Sequence, residues 1–221
     1  MDARKYLAEF LGTFVFFAIG FTSVQAAAAA NVPTLMVVPF SFGLGLLTAI
    51  YAFGHVSGGH FNPAVTVAMA LDRRTTPVDA VGYIVAQVLG AILAAGFVVV
   101  LFTQAAAEAV ITAPGGALEG NDIGTALLEG VMTAAFLLVI LVSTRKNAAV
   151  AGIVIPLTLV AIHFAIATLT GASVNPARSI GPAVLAADFS ALWIYIVGPI
   201  AGAVVAWGVY AFAFERDDEG A

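Results

Sequence analysis

Two tripeptides, Asn62-Pro63-Ala64 and Asn175-Pro176-Ala177, each place an amide side chain directly before a proline and a short apolar run. Asn is a favoured N-cap, and Pro is favoured at the first helical position, where its missing N–H leaves no bond unmade. Each motif is therefore expected to start a helix with an amide ready to donate hydrogen bonds at its mouth. Arg178 follows the second motif directly, and His163 stands twelve residues before Asn175. An arginine deep in an apolar segment costs at least ~2.5–3.5 kcal/mol, so Arg178 is expected to face a wet cavity or an acidic partner, Glu9 or Glu129. Those two glutamates occupy matching places, in Leu7-Ala-Glu9-Phe-Leu-Gly-Thr13 and Leu127-Leu-Glu129-Gly-Val-Met-Thr133. They are expected to accept hydrogen bonds from the loops that carry the motifs, rather than to act as a catalytic pair or a proton relay. His55 and His60, in the loop entering the first motif, are read as loop packing. With three His and no Cys in the chain, a metal site is not expected. Nor does any nucleophile–base pair stand near the motifs, so the reading is not that of an enzyme.

The elements that must position these residues are membrane spans. Of 221 residues, 62% are hydrophobic and 10% charged, against ~25% charged in a soluble domain. This excludes an ordinary soluble protein, a disordered chain and a nucleic-acid binder. The absence of Cys excludes disulfide frameworks, thiolate metal sites and Cys nucleophiles. Much of the net charge of −5 lies in the tail, 215–219, so it says little about partners. Runs long enough to span a bilayer cover 7–26, 33–53, 81–102, 127–142, 148–169 and 192–214. The motif runs 62–71 and 175–187 cross only about half of a bilayer at ~1.5 Å per residue. The first apolar run leads straight into further spans, without a cleavable signal pattern. If six spans alternate, Arg4, Lys5, Arg73, Arg74, Arg145, Lys146 and Arg216 share one side, and Arg178 is the exception. The opposite loops hold Glu108, Glu119, Asp122 and Asp188 but no Lys or Arg, which puts both termini in the cytoplasm. Three spans separate the motifs, so the second copy is inverted, giving repeats at about 1–103 and 122–215. Inversion brings the positive N-termini of two half-helices together near the midplane, where irregular backbone is tolerated only if buried or lining a wet cavity. The expected fold is all-α: six transmembrane helices plus two re-entrant half-helices. Gly198-Pro-Ile-Ala-Gly202 and the small residues Gly82, Ala86, Gly90 and Ala94 are assigned to close helix packing. The long loop 103–122, with Pro114-Gly-Gly, offers turns but no site.

Ser57-Gly-Gly-His-Phe-Asn-Pro-Ala-Val-Thr66 and Ser173-Val-Asn-Pro-Ala-Arg-Ser179 resemble the aquaporin (major intrinsic protein) family, and the six-span register extends the resemblance over essentially the whole chain. The resemblance implies a right-handed bundle in the cell membrane, one pore per subunit and a homotetramer. It also implies a pore constriction formed by Phe42 (in Ser41-Phe-Gly-Leu), His163, Ala172 and Arg178, with His and Arg as donors and Ala172 offering its backbone carbonyl. In the water-selective branch this means a passive, osmotically driven water channel that excludes protons and ions, with no cofactor. The glycerol branch typically has Asp after the motif's Arg and lacks the constriction His, so Ser179, Ala183 and His163 favour water. Tyr195-Ile196 replaces a pair that is usually Phe-Trp in water channels, which keeps a glycerol or small-neutral-solute facilitator as the alternative. An ion-coupled secondary transporter also uses broken helices, but no carboxylate stands beside either motif in the sequence to bind a coupling ion.

Overall fold

The apolar runs form helices that extend past the runs themselves into polar first and last turns. In the computed structural model, which describes residues 3–214, these are α1 (Ala3–Ala29), α2 (Val38–Ser57), α3 (Pro63–Leu71), α4 (Pro77–Leu101), α5 (Gln104–Glu108), α6 (Asp122–Lys146), α7 (Ala148–Thr170), α8 (Pro176–Ala186) and α9 (Leu192–Ala213). Six of them, all but α3, α5 and α8, are long and apolar enough to cross a membrane. α4 and α6 start four and five residues earlier than hydropathy alone suggests, because side chains cap them there. Thr76 Oγ1 accepts from Asp79 N at 3.2 Å and Asn121 Oδ1 from Gly124 N at 2.9 Å. Each acidic first-turn residue, Asp79 and Asp122, also sits at the positive end of its helix. Arg216 and the acidic tail invoked for orientation and net charge lie outside the described residues.

The long helices pack through small residues. α9 lies along α6, and α1 is flanked by α2 and α4. A Cβ at Gly202 would come within 2.3 Å of the Gly130 carbonyl oxygen, and one at Gly198 within 2.6 Å of that of Ala126. A Cβ at Gly90 of α4 would likewise come within 2.5 Å of the Phe10 carbonyl oxygen of α1. Backbones meet there with no room for a side chain, so dispersion contacts run the length of each helix pair. Large apolar side chains such as Leu89, Leu93, Val100 and Phe212 point outward and are exposed, as a lipid-facing surface requires.

Two expectations are corrected. The loop 103–122 contains α5 and a 3₁₀ turn at Gly116–Leu118. A five-residue helix is too short to show a periodic signal; it is held by burial of Ala106 and Ala107 and by Gln104 Nε2 donating to the Leu185 carbonyl at 2.6 Å. His55 is not in the loop before the first motif but in the last turn of α2, which continues to Ser57 and stops at Gly58 in the left-handed conformation (φ 94°). Beyond α8, Ser190 donates through both its N–H and its hydroxyl to Asp188 Oδ1, at 3.0 and 2.7 Å, and holds that exposed carboxyl below its ordinary pKa.

Candidate functional site

Each half-helix starts as its sequence requires. Asn62 Oδ1 accepts from Ala64 N at 2.8 Å, and Asn175 Oδ1 from Ala177 N at 3.0 Å, with Pro63 and Pro176 at the first helical positions. The amide nitrogens then reach across to the other half: Asn62 Nδ2 donates to the Val174 carbonyl and Asn175 Nδ2 to the Phe61 carbonyl, both at 2.9 Å. Each Asn thus caps its own helix, bonds the residue preceding the other Asn, and has one further amide N–H to give.

The crossed bonds demand unusual backbone. Phe61 and Val174 adopt positive φ, 49° and 44°. For a β-branched residue this is a genuine outlier, costing of order 1–3 kcal/mol, and it persists only where the surroundings over-determine it. Here they do. Glu9 Oε2 accepts from Phe61 N at 2.7 Å and Oε1 from His60 N at 2.9 Å, while Glu129 Oε2 accepts from Val174 N at 2.7 Å and Oε1 from Ser173 N at 2.9 Å. Hydroxyls complete both carboxylates, Ser57 on Glu9 at 2.6 Å and Thr170 on Glu129 at 2.7 Å; Gln87 Nε2 adds a further bond to Glu9 at 2.8 Å. Both glutamates are fully buried, and a buried carboxylate is tolerable only when its lone pairs are met in this way. His60 packs against the edge of Tyr83, ring centroids 5.0 Å apart, and bonds Thr66 Oγ1 through Nδ1 at 3.0 Å. Among the described residues no group of His, Asp and Glu could hold a metal ion.

A lumen of about 680 Å³ runs along the half-helix junction. Tyr51, Thr144 and Gly152 line one part of it, Asn62 and Asn175 another, and Phe42, His163 and Arg178 a third. Most of the remaining wall is apolar, with Phe16, Phe17, Leu46, Val65, Met69 and Phe136.

Phe42, His163 and Arg178 are brought together. The Phe42 and His163 rings stack at 4.7 Å, and the Arg178 guanidinium lies 5.4 Å from the Phe42 centroid and 5.6 Å from that of Phe21. Arg178 does not pair with Glu9 or Glu129; Nη1 donates to the Val110 carbonyl and Nη2 to that of Gly171 at 3.5 Å. Its Nε has no partner in the protein and is buried. His163 Nδ1 faces the Leu159 carbonyl at 3.0 Å, so Nδ1 carries the proton. In the neutral ring this makes the unpartnered Nε2 an acceptor, not the donor expected from sequence, because the carbonyl behind it takes the N–H. Ala172 is buried in the same loop but is not among the residues lining the lumen.

Several contributors carried no readable signal. Val110 acts through a backbone carbonyl, a group every residue has. Phe17 and Phe21, stacked at 5.4 Å behind Phe42 and Arg178, are hidden among 16 phenylalanines. Tyr195 and Ile196 do not line the lumen: Tyr195 is buried and donates to the Thr170 carbonyl at 2.8 Å, while Ile196 is exposed.

Six spans with two half-helices meeting end to end beside a lumen that reaches from Tyr51 and Gly152 to Arg178 define a membrane channel of the paired half-helix class. Residues 1–210 match the family model described as Major intrinsic protein, and the chain belongs to that family, whose members are channels rather than enzymes. It is 42% identical to "Glycerol uptake facilitator protein-like 6" of Lactiplantibacillus plantarum, covering 92% of this chain and 94% of that protein. It is 39% identical to bovine Aquaporin-4 over 98% of this chain and 69% of the relative, and 39% identical to Aquaporin Z of Photorhabdus laumondii over 96% and 97%. Among solved structures, the aquaglyceroporin from Plasmodium falciparum superposes with a TM-score of 0.89, at 24% identity over 100% of both chains, a likeness of fold.

Proposed function

We propose that the chain is a passive water channel in which Phe42, His163 and Arg178 form the constriction. The observation that carries this reading is that Phe42, His163 and Arg178 meet on the wall of one lumen, where His163 Nε2 and Arg178 Nε are left without a partner in the protein. One accepts and the other donates, so together they replace both kinds of hydrogen bond that a water molecule loses on entering, and the ring limits the width. Ala172 belongs to the constriction on family resemblance alone. Past it, the remaining amide N–H groups of Asn62 and Asn175 donate to the permeating oxygen, while the two half-helix N-termini, each worth about +0.5 of an elementary charge, oppose cations and protons. Electrostatic barriers of this kind are general for aquaporin-type pores. Glu9 and Glu129 support the motif loops.

Further parts of the reading are a homotetramer in the cell membrane with both termini cytoplasmic, and an inverted repeat of 1–103 and 122–215. The repeat is supported by paired features: Glu9 and Glu129, the left-handed helix stops Gly58 and Gly171, and Tyr83 donating to the Ser57 carbonyl at 2.6 Å as Tyr195 does to Thr170 at 2.8 Å. The alternative is a facilitator of glycerol or similar neutral solutes, favoured by the name of the Lactiplantibacillus relative and by the largely apolar lumen wall. Stopped-flow light scattering on proteoliposomes distinguishes them: fast osmotic water efflux with glycerol uptake near that of empty vesicles is expected. Glycerol flux comparable to that of an established facilitator would replace the water reading with the alternative.

A further inference from the structure

The turn Val110–Thr112 grips two consecutive residues of α8. The Val110 carbonyl accepts from Arg178 Nη1, and two residues on Thr112 Oγ1 donates to Ser179 Oγ at 2.7 Å. Thr112 also packs on Gly171, whose carbonyl accepts from Arg178 Nη2: a Cβ built on that glycine would meet Thr112 Cγ2 at 3.1 Å and its Cα at 3.2 Å. Both carbonyls that hold the guanidinium are therefore in, or in contact with, this turn. From Ser179 the hydroxyls continue to Ser173 Oγ at 2.7 Å, which donates to the Asn175 carbonyl at 2.9 Å. Thr112 is 3% exposed, and Ser173 and Ser179 are 2% exposed, so water has no access to replace a lost partner.

We propose that Thr112 is a positioning residue for solute selectivity. Its hydroxyl, bonded to Ser179, keeps the Val110 carbonyl in register with Arg178, and so keeps the guanidinium at one place in the lumen. A loop without this bond releases the arginine to other positions, and the lumen loses its fixed width. The proposal rests on the assignment of Arg178 to the constriction.

The test is the glycerol-to-water permeability ratio in proteoliposomes, which does not depend on how much protein inserts. Thr112→Val and Ser179→Ala are each expected to raise the ratio about fivefold, the change controlled by one hydrogen bond of ordinary net strength. The double variant should add little to Ser179→Ala, which already removes the bond to Thr112 together with the one to Ser173. Thr112→Ser keeps the donor and should retain the wild-type ratio. The proposal is overturned if Thr112→Val and Ser179→Ala leave the ratio unchanged while Arg178→Val shifts it; the constriction then stands without the strap. It is equally overturned if Thr112→Ser shifts the ratio as far as Thr112→Val, since packing of the methyl group would be responsible. An unchanged ratio in Arg178→Val would instead remove the constriction reading itself. Should Thr112→Val fail to insert, Ser179→Ala and Thr112→Ser decide between the same outcomes.

Discussion

At the scale of single residues, His163 and Arg178 do different work. The His163 ring stacks on Phe42 and keeps Nε2 free of any partner in the protein. His163→Gly removes the ring and lets Phe42 relax, so glycerol or urea uptake should rise at least about tenfold, the scale on which small steric changes discriminate between substrates. Unchanged solute rejection by a correctly inserted variant would take His163 out of the constriction. Arg178 contributes charge. Arg178→Val should raise proton conductance while water still flows, and the leak should be partial because the half-helix dipoles, about +0.5 of an elementary charge each, belong to backbone and survive the substitution. Entrapped pH dye and osmotic shrinkage, read on the same vesicles, check both halves. A variant as proton-tight as wild type would assign the barrier to the dipoles alone.

At the scale of elements, the half-helices are positioned by long helices that lie unusually close. α9 approaches α6 through Gly198 and Gly202, and a Cβ at Gly202 would collide with the Gly130 carbonyl at 2.3 Å and crowd the Thr133 Cβ at 3.0 Å. The backbone cannot yield without separating the pair that carries Glu129 and, through Tyr195, the Thr170 carbonyl. Gly202→Val should therefore lower stability by about 1–3 kcal/mol or more, the usual scale of overpacking, and reduce the yield of monodisperse protein. Gly208→Ala, six residues further along the same helix with nothing within 4 Å of its added Cβ, serves as the control and should unfold near the wild-type temperature. Equal thermal shifts in detergent for the two variants would mean that the close approach does not limit stability.

At the scale of the whole molecule, reagents that block channels by thiol capture should be inert, because the thiolate is their target and the chain has no Cys. Water permeability should be unchanged after exposure to a mercurial. Rapid inhibition reversed by added thiol would contradict this and point to another mercury ligand, with His163 and His55 the imidazoles lining the lumen beside His60.

The hydrophobic runs, the two Asn-Pro-Ala motifs, the matched glutamates and the buried arginine were legible in the order of residues, because a span, an N-cap and an intramembrane charge each follow from local composition and solvation. Length and polarity are enough to say that a 62% hydrophobic chain crosses a membrane and that two of its helices stop half-way. Apart from the glutamates and their motif loops, partnership was not legible, because it depends on which atoms meet after the helices pack. Nothing local to Asn62 or Asn175 shows that each amide bonds the carbonyl of the other half, more than 110 residues away. Nothing in 103–122 shows that a valine carbonyl there takes the arginine, since backbone oxygens are the same in every sequence. Which nitrogen of His163 is engaged was not legible either: Nδ1 donates to the Leu159 carbonyl one turn back in α7, which leaves Nε2 the acceptor. Likewise Tyr195, in sequence part of a departure from the pair usual in water channels, is turned by packing toward Thr170, whose carbonyl accepts its hydroxyl. Sequence determines which groups must be satisfied; only the packed chain decides by whom.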